Sequence, residues 1–211
     1  MAARQTRKEK QAATRSLLMK AAAKVCAKRG LQRTSIDEVA EEAGYTKGAF
    51  YSNFASKEEL FLAMLDERFE QRVRDIDAAI GSTDDPEAAA RRAGEDFTRF
   101  LAADPEWQRL FFEFAAHAAR NPEFRDELVT RYRTLRSRIA ELLRKRAEEL
   151  GVEPPIPFDQ IALMLFAMGN GFAMERLLEP DVVPDDLHGS MMSFFFAGLQ
   201  ASMPSAAASQ S

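Results

Sequence analysis

Three times the chain places an acid or amide, a proline and a glutamate in succession: Asp85-Pro86-Glu87, Asp104-Pro105-Glu106 and Asn121-Pro122-Glu123. The first residue of each can cap orphan N–H groups. The proline takes the first helical position, where no N–H is missed, and the glutamate faces the positive end of the helix dipole. Capping boxes mark two more starts, Ser35…Glu38 and Ser56…Glu59, and Gly30, Gly44, Gly81 and Gly151 stand where helices should stop. No long alternating β-branched run interrupts this punctuation. The fold class is therefore all-α.

These marks predict nine helices, at 11–29, 35–43, 47–53, 56–80, 86–103, 105–120, 122–150, 157–178 and 185–201. The fourth carries an apolar stripe at Phe61, Leu65, Phe69, Val73, Ile76 and Ile80. The seventh carries one at Leu128, Tyr132, Leu135, Ile139, Leu142 and Leu150, so both have one wet and one buried face. Residues 1–8 and the Ser/Ala-rich tail 202–211 are expected to be disordered.

A formal charge of −4 and a pI near 5.4, taken alone, argue against a nucleic-acid partner. The distribution says otherwise. Residues 1–60 hold 12 Lys and Arg against 7 Asp and Glu, a balance of +5, whereas residues 61–211 balance at −9. A small basic module precedes a larger, acidic, Phe-rich body. Clustered positive charge is what a phosphate-binding surface needs. Charge alone leaves that reading level with a solvated, mildly basic helical face.

The single cysteine, Cys26, excludes a disulfide framework and a Cys-based zinc site, and two histidines offer little for a His-rich metal site. No metal and no cofactor is expected. The polar, basic N-terminus lacks the apolar stretch of a signal peptide, and no segment is read as a membrane span of ~20 apolar residues. Ile161 to Leu178, the longest candidate, contains Asn170, Glu175 and Arg176. The expectation is a soluble, cytoplasmic protein.

Within the basic module, two very short helices meet at Gly44-Tyr45-Thr46. A short helix, a tight Gly turn and another short helix make a helix-turn-helix, whose second helix can enter the major groove. Ile36, Val39, Ala40 and Ala43 can pack against Phe50 and Phe54, with Leu18, Ala22 and Val25 beneath. The second helix then turns Lys47, Gly48, Ala49, Tyr51, Ser52 and Asn53 outward. Small residues at 48 and 49 permit close approach to base edges, and Lys47 can donate to guanine or phosphate. Tyr51, Asn53 and Lys57, with Thr34 and Ser35 at a helix N-terminus, suit backbone phosphates. Pattern alone leaves open that Tyr51 and Asn53 merely pack and cap a helical bundle.

The run from Leu17 to Leu65, centred on GLQRTSIDEVAEEAGYTKGAFYSNFASKEELF, resembles the DNA-binding region of the tetracycline-repressor (TetR) family. The residues that carry the resemblance are Gly30, Thr34-Ser35, Val39-Ala40, Ala43-Gly44, Phe50-Tyr51, Phe54 and Ser56-Lys57-Glu58-Glu59-Leu60. It implies base contacts from Lys47, Gly48, Ala49 and Tyr51, and phosphate contacts from Thr34, Ser35, Thr46, Ser52, Asn53 and Lys57. Ala49, Ser52 and Asn53 depart from the family's commonest residues. All three lie on the reading face and bear on which operator is read. The resemblance divides the chain into a DNA-binding domain at 1–55, an effector-binding and dimerisation domain at 56–201, and the tail.

Nothing in the acidic body looks catalytic. Glu148-Glu149 and the arginines of the seventh helix read as wet faces, and no Ser, Cys or second His has a spacing that pairs with His117. Phe97, Phe100, Trp107, Phe111, Phe114, His117, Met164, Met168 and Phe172 can line an adaptable apolar pocket or simply pack a core. The resemblance favours the pocket. The last two helices are apolar nearly all round and must be covered on both sides. A symmetric dimer through Leu163, Phe166, Gly171, Met174, Met191, Phe194, Phe195 and Leu199 would do so. The expectation is a non-enzymatic, dimeric repressor that leaves a pseudo-palindromic double-stranded DNA operator when a small apolar or amphipathic effector binds. A ligand-independent architectural or nucleoid-associated protein is the alternative.

Overall fold

The structure, a computed structural model, describes residues 6–202. Among them are nine α-helices: α1 (Arg7–Arg29), α2 (Ile36–Glu42), α3 (Lys47–Tyr51), α4 (Lys57–Ile80), α5 (Pro86–Ala103), α6 (Pro105–Ala118), α7 (Pro122–Leu150), α8 (Phe158–Leu178) and α9 (Leu187–Ala201). A 3-10 turn at Pro180–Val182 joins the last two. The chain is all-α, as its punctuation requires. Asp85 accepts from the Glu87 N–H at 3.0 Å, and Asn121 Oδ1 accepts from the Phe124 N–H at 3.0 Å. Ser35 and Glu38 close a full capping box. Ser56 closes only half of one: its Oγ accepts from the Glu59 N–H at 3.1 Å, while the Glu59 carboxylate takes the Ala55 N–H at 2.7 Å.

The largest departure is at the start. Helix α1 begins at Arg7, inside the segment expected to be disordered, because Thr6 and Glu9 form a capping box. The Glu9 N–H donates to Thr6 Oγ1 at 3.2 Å, and the Thr6 N–H donates to Glu9 Oε2 at 2.7 Å. Arg7, Lys8 and Lys10 are therefore helical. The expected disorder of residues 1–5 and 203–211 lies outside the described residues. Ser202 is a turn that ends α9.

Packing divides the chain into two units. One holds the residues up to Arg68 together with Glu106–Val129; the other holds Phe69–Pro105 and the residues from Thr130 onward. Helices α4 and α7 contribute residues to both.

The core of the first unit is aromatic and aliphatic. Leu18, Ala22, Val39, Phe50, Phe54, Leu60, Phe61, Leu65 and Phe114 are buried within it. Ring centroids stand 5.7 Å apart for Phe50 and Phe54 and also for Phe61 and Phe114, within the range of favourable aromatic pairs. The buried face of α4 is wide here, since Leu60, Leu62 and Met64 are covered as well as Phe61 and Leu65 of the predicted stripe.

In the second unit, Val73, Leu135, Ile139, Ala140 and Ala162 form a buried cluster, flanked by Phe69, Ile76, Phe158 and Phe166. Helices α5 and α9 lie in close contact through Gly94 and Gly189. Arg91 donates to Ser190 Oγ and Ser193 Oγ, each at 3.2 Å, and Ser193 donates to Glu87. Among the described residues, α8 alone is long and apolar enough by composition to cross a membrane, a test that a protein's core helix also passes, and the sequence reading of no membrane span stands. Asn170, Glu175 and Arg176 are too few to offset its Leu, Met, Ile and Phe content. Ile161, Ala162, Gly169 and Ala173 bury one side of it, while Leu163 and Leu178 are 51% and 71% exposed.

Candidate nucleic-acid interface

The joint between α2 and α3 is built by Gly44. Its φ of 73° is one that L side chains rarely adopt. The Tyr45 N–H reaches back to the Ala40 carbonyl at 2.8 Å and the Gly44 N–H to the Glu41 carbonyl at 3.0 Å, which closes the last turn of α2. Thr46 then caps α3 by accepting the Ala49 N–H at 3.2 Å. With Phe50 and Phe54 fully buried on one side, the opposite side of this short segment exposes Lys47, Gly48, Tyr51 and Ser52. Ala49 and Asn53 are half-buried beside them.

The polar groups of this face differ in what already holds them. Ser35 and Thr46 are exposed N-caps, and Ser52 Oγ donates to the Gly48 carbonyl at 2.9 Å. Thr34 is turned inward, 2% exposed, with its hydroxyl donating to the Gly30 carbonyl at 2.9 Å. Lys57 Nζ donates to the Thr34 carbonyl at 3.0 Å and the Leu31 carbonyl at 3.4 Å, closing the loop between α1 and α2. Asn53 Nδ2 donates to the Ala49 carbonyl at 2.8 Å. Lys47 Nζ pairs with Asp37 at 3.0 Å, and the Asp37 carboxylate, first by hydrogen bonding and then by charge, holds the lysine above its ordinary pKa.

Some residues that shape this face carry no motif. The Arg15 guanidinium lies 4.0 Å over the Phe54 ring, donates to the Asn53 carbonyl and is 3.8 Å from Glu59, so α1 holds the end of the reading segment in place. Its position three residues before buried Leu18 and seven before Ala22 was a readable sign. Glu113 of α6 accepts the Leu31 N–H, and Gln32 Nε2 is 2.8 Å from His117 Nδ1. These two residues of α6 brace the corner between α1 and α2. No local pattern announces them, because their partners are more than eighty residues away. Gln32, His117, Arg120 and Asn121 also line an open cleft of about 510 Å³.

The residues expected to line a pocket fall into both units. In the first, Phe114 is fully buried among Phe61, Trp107 and Phe124; Phe111 stands edge-on to Phe112, and the His117 ring is 4.8 Å from that of Phe124. In the second, Phe97 stacks beside Phe100 and lies 5.0 Å from His188, whose other neighbour, Phe172, is at 4.7 Å. Met168 is half-buried and Met164 is 42% exposed. His188 and Arg72 lie outside the set expected to line a pocket. A lone histidine has no pattern, although Arg72 occupies a helical position between Phe69 and Ile76 of the α4 stripe. Of the residues expected at a dimer interface, Leu163, Gly171, Met174 and Phe194 are exposed, the last at 74%. Phe166, Met191, Phe195 and Leu199 are half-buried.

Residues 18–64 match the family model described as bacterial regulatory proteins, tetR family. Residues 86–200, more than half of the chain, match the BetI-type transcriptional repressor, C-terminal. The chain is 36% identical over 99 residues to the HTH-type transcriptional activator FasR of Mycolicibacterium smegmatis, a match spanning 47% of this chain and less than half, 45%, of that protein. It is 29% identical over 204 residues to the HTH-type transcriptional regulator TtgR of Pseudomonas putida, spanning 93% and 94% of the two chains. The fold resembles that of the fatty acid degradation regulator FadR from Bacillus halodurans, with a TM-score of 0.74 at 18% identity over 88% of this chain and 95% of that one.

Proposed function

The chain belongs to the tetR family of bacterial regulatory proteins, and from that premise we propose that it is a dimeric, cytoplasmic repressor released from its operator by a small ligand. The observation that carries this reading is the outward edge of α3. Lys47, Gly48, Ala49 and Tyr51 stand on a helix-turn-helix whose other side is locked by Phe50 and Phe54. In our reading these four residues approach base edges in the major groove. Thr46 holds a phosphate by its hydroxyl, Ser35 and Ser52 do so by turning theirs away from Glu38 and the Gly48 carbonyl, and Lys57 and Asn53 use the donor capacity left after their internal bonds. Thr34 keeps the α1–α2 loop in shape and supports its neighbour Ser35.

One short helix reads too few bases for useful selectivity, and two reading symmetric half-sites supply it. The apolar surface of Leu163, Met174 and Phe194, together with Phe166, Gly171, Met191, Phe195 and Leu199, is the face we assign to the second copy. We assign DNA binding to residues 1–55 and effector binding with dimerisation to 56–201, a division of roles rather than of packing. Helix α4 runs from Lys57 at the reading end to Ile80 and is the lever through which an effector alters the reading heads. A coupling of about 1–3 kcal/mol would shift DNA affinity ~5–150-fold.

Selection of bound fragments from sheared genomic DNA tests the reading. A palindromic consensus with half-sites about one helical turn apart supports it. Fragments without a consensus would overturn it in favour of an architectural DNA-binding protein. A promoter fusion to the recovered site gives the sign, with repression expected in the absence of effector.

A further inference from the structure

In the second unit, two polar side chains of different charge hang on successive carbonyls of α5. Arg72 Nη2 donates to the Ala93 carbonyl at 3.3 Å, and His188 Nδ1 is 3.1 Å from the Gly94 carbonyl. Both flank the Phe97 ring: the Arg72 guanidinium lies 4.6 Å over it and the imidazole centroid is 5.0 Å away. Phe172 closes the imidazole at 4.7 Å. The remaining nitrogens, Arg72 Nη1 and His188 Nε2, are buried and have no hydrogen-bond partner among the described residues.

The chemistry of the two nitrogens is opposite. A carbonyl only accepts, so His188 Nδ1 carries the proton and Nε2 of the neutral ring is an acceptor. Burial, reinforced by the charge of Arg72, holds this histidine below its ordinary pKa against the Gly94 bond. Arg72 Nη1 is a donor. Burial pulls the guanidinium pKa down to about 10, opposed by the charges of Asp75 and Asp96, which leaves it protonated at neutral pH. A buried charged donor left unpaired is expensive, and so is an unpaired acceptor beside it.

Resting on the ligand-responsive reading above, we propose that Arg72 and His188 form the polar end of the effector site and take the carboxyl group of an apolar carboxylic acid. One oxygen of the bound carboxylate accepts from Arg72 Nη1, and a proton taken up from water on binding lies between the other oxygen and His188 Nε2. A carboxyl group carries an acceptor and a donor on separate oxygens, as the site offers a donor and an acceptor on separate side chains. Phe97 and Phe172 present apolar rings to the body of the ligand.

Titration calorimetry of the full chain with 4-butylbenzoic acid and its methyl ester tests this directly. The ester keeps the body and loses the donor. The acid is expected to bind about 30-fold more tightly than the ester. Arg72→Met and His188→Phe should each bring the acid down to the ester's affinity. Because His188→Phe also removes the bond to Gly94, a second readout uses the unmodified protein. Imidazole ¹⁵N resonances of its two histidines, assigned with His117→Asn, should show the acid and not the ester shifting Nε2 of His188. Equal affinity for acid and ester, failure of both to bind, an acid preference that survives Arg72→Met, or an unmoved Nε2 would each overturn the assignment and leave a bridging water as the occupant. A chain that recovers a palindromic operator yet responds only to neutral compounds fails this inference alone. One that recovers no operator fails the regulator reading whichever probe binds.

Discussion

A Cβ placed on Gly94 would stand 2.7 Å from the Cα of Gly189 and 2.9 Å from its backbone nitrogen. Helices α5 and α9 therefore approach backbone to backbone where these two glycines meet. Gly94→Ala must push two backbones apart, whereas a Cβ at Gly189 meets the Arg91 carbonyl and Glu95 Cγ, both at 3.0 Å, and the latter can swing away. Gly94→Ala is expected to cost about 1–3 kcal/mol of stability despite alanine's better helix propensity, and Gly189→Ala less. Urea unfolding curves of the two variants check the order.

Lys47 is held by Asp37 before any DNA arrives, with both side chains exposed. Lys47→Ala or Tyr51→Ala should weaken operator binding by about 10–100-fold while leaving the dimer intact. Asp37→Asn should do the reverse, because it frees the lysine and removes a negative charge from the reading face. Mobility-shift titrations at two salt concentrations measure both. Undiminished affinity in the first pair would mean that another surface reads the operator.

Phe194 projects from α9 with 74% of its surface open. Phe194→Glu puts a charge into the proposed interface while leaving the interior of the monomer untouched. The expected product is a helical monomer that no longer holds its operator, seen by sedimentation and circular dichroism. A dimer of normal affinity would place the interface elsewhere.

His188 makes stability depend on pH in a definite direction. Its folded-state pKa lies below the ordinary value of about 6.5, so the unfolded chain binds the proton first as pH falls. The histidine's contribution is complete above that ordinary value and declines as pH drops through it toward the lower folded value. Between pH ~7 and ~5 the parent chain should lose more unfolding free energy than His188→Gln. Parallel slopes for the two proteins would show that the imidazole is not held neutral.

Much of this molecule is local, and local chemistry is what a sequence displays. Eight of the nine helices end within two residues of their predicted bounds, since caps, first-turn prolines and terminal glycines act on neighbours in the chain. The outward residues of α3 were legible for the same reason, with the buried Phe50 and Phe54 fixing which side faces out. Thr6 obeys the same local rule, since its spacing to Glu9 is that of a capping box.

What the chain alone could not display depends on groups distant in sequence. Thr34 reads as a free hydroxyl until the fold turns it toward Gly30, and Lys57 reads as a free cation until the Leu31 and Thr34 carbonyls are brought to it. Arg72 and His188 are separated by most of the body, yet adjacent carbonyls of α5 gather them around Phe97. Secondary structure and exposed reading residues were determined by nearest neighbours along the chain. Which polar groups remain uncommitted was decided by tertiary packing, because burial and hydrogen-bond partners exist only once distant segments meet.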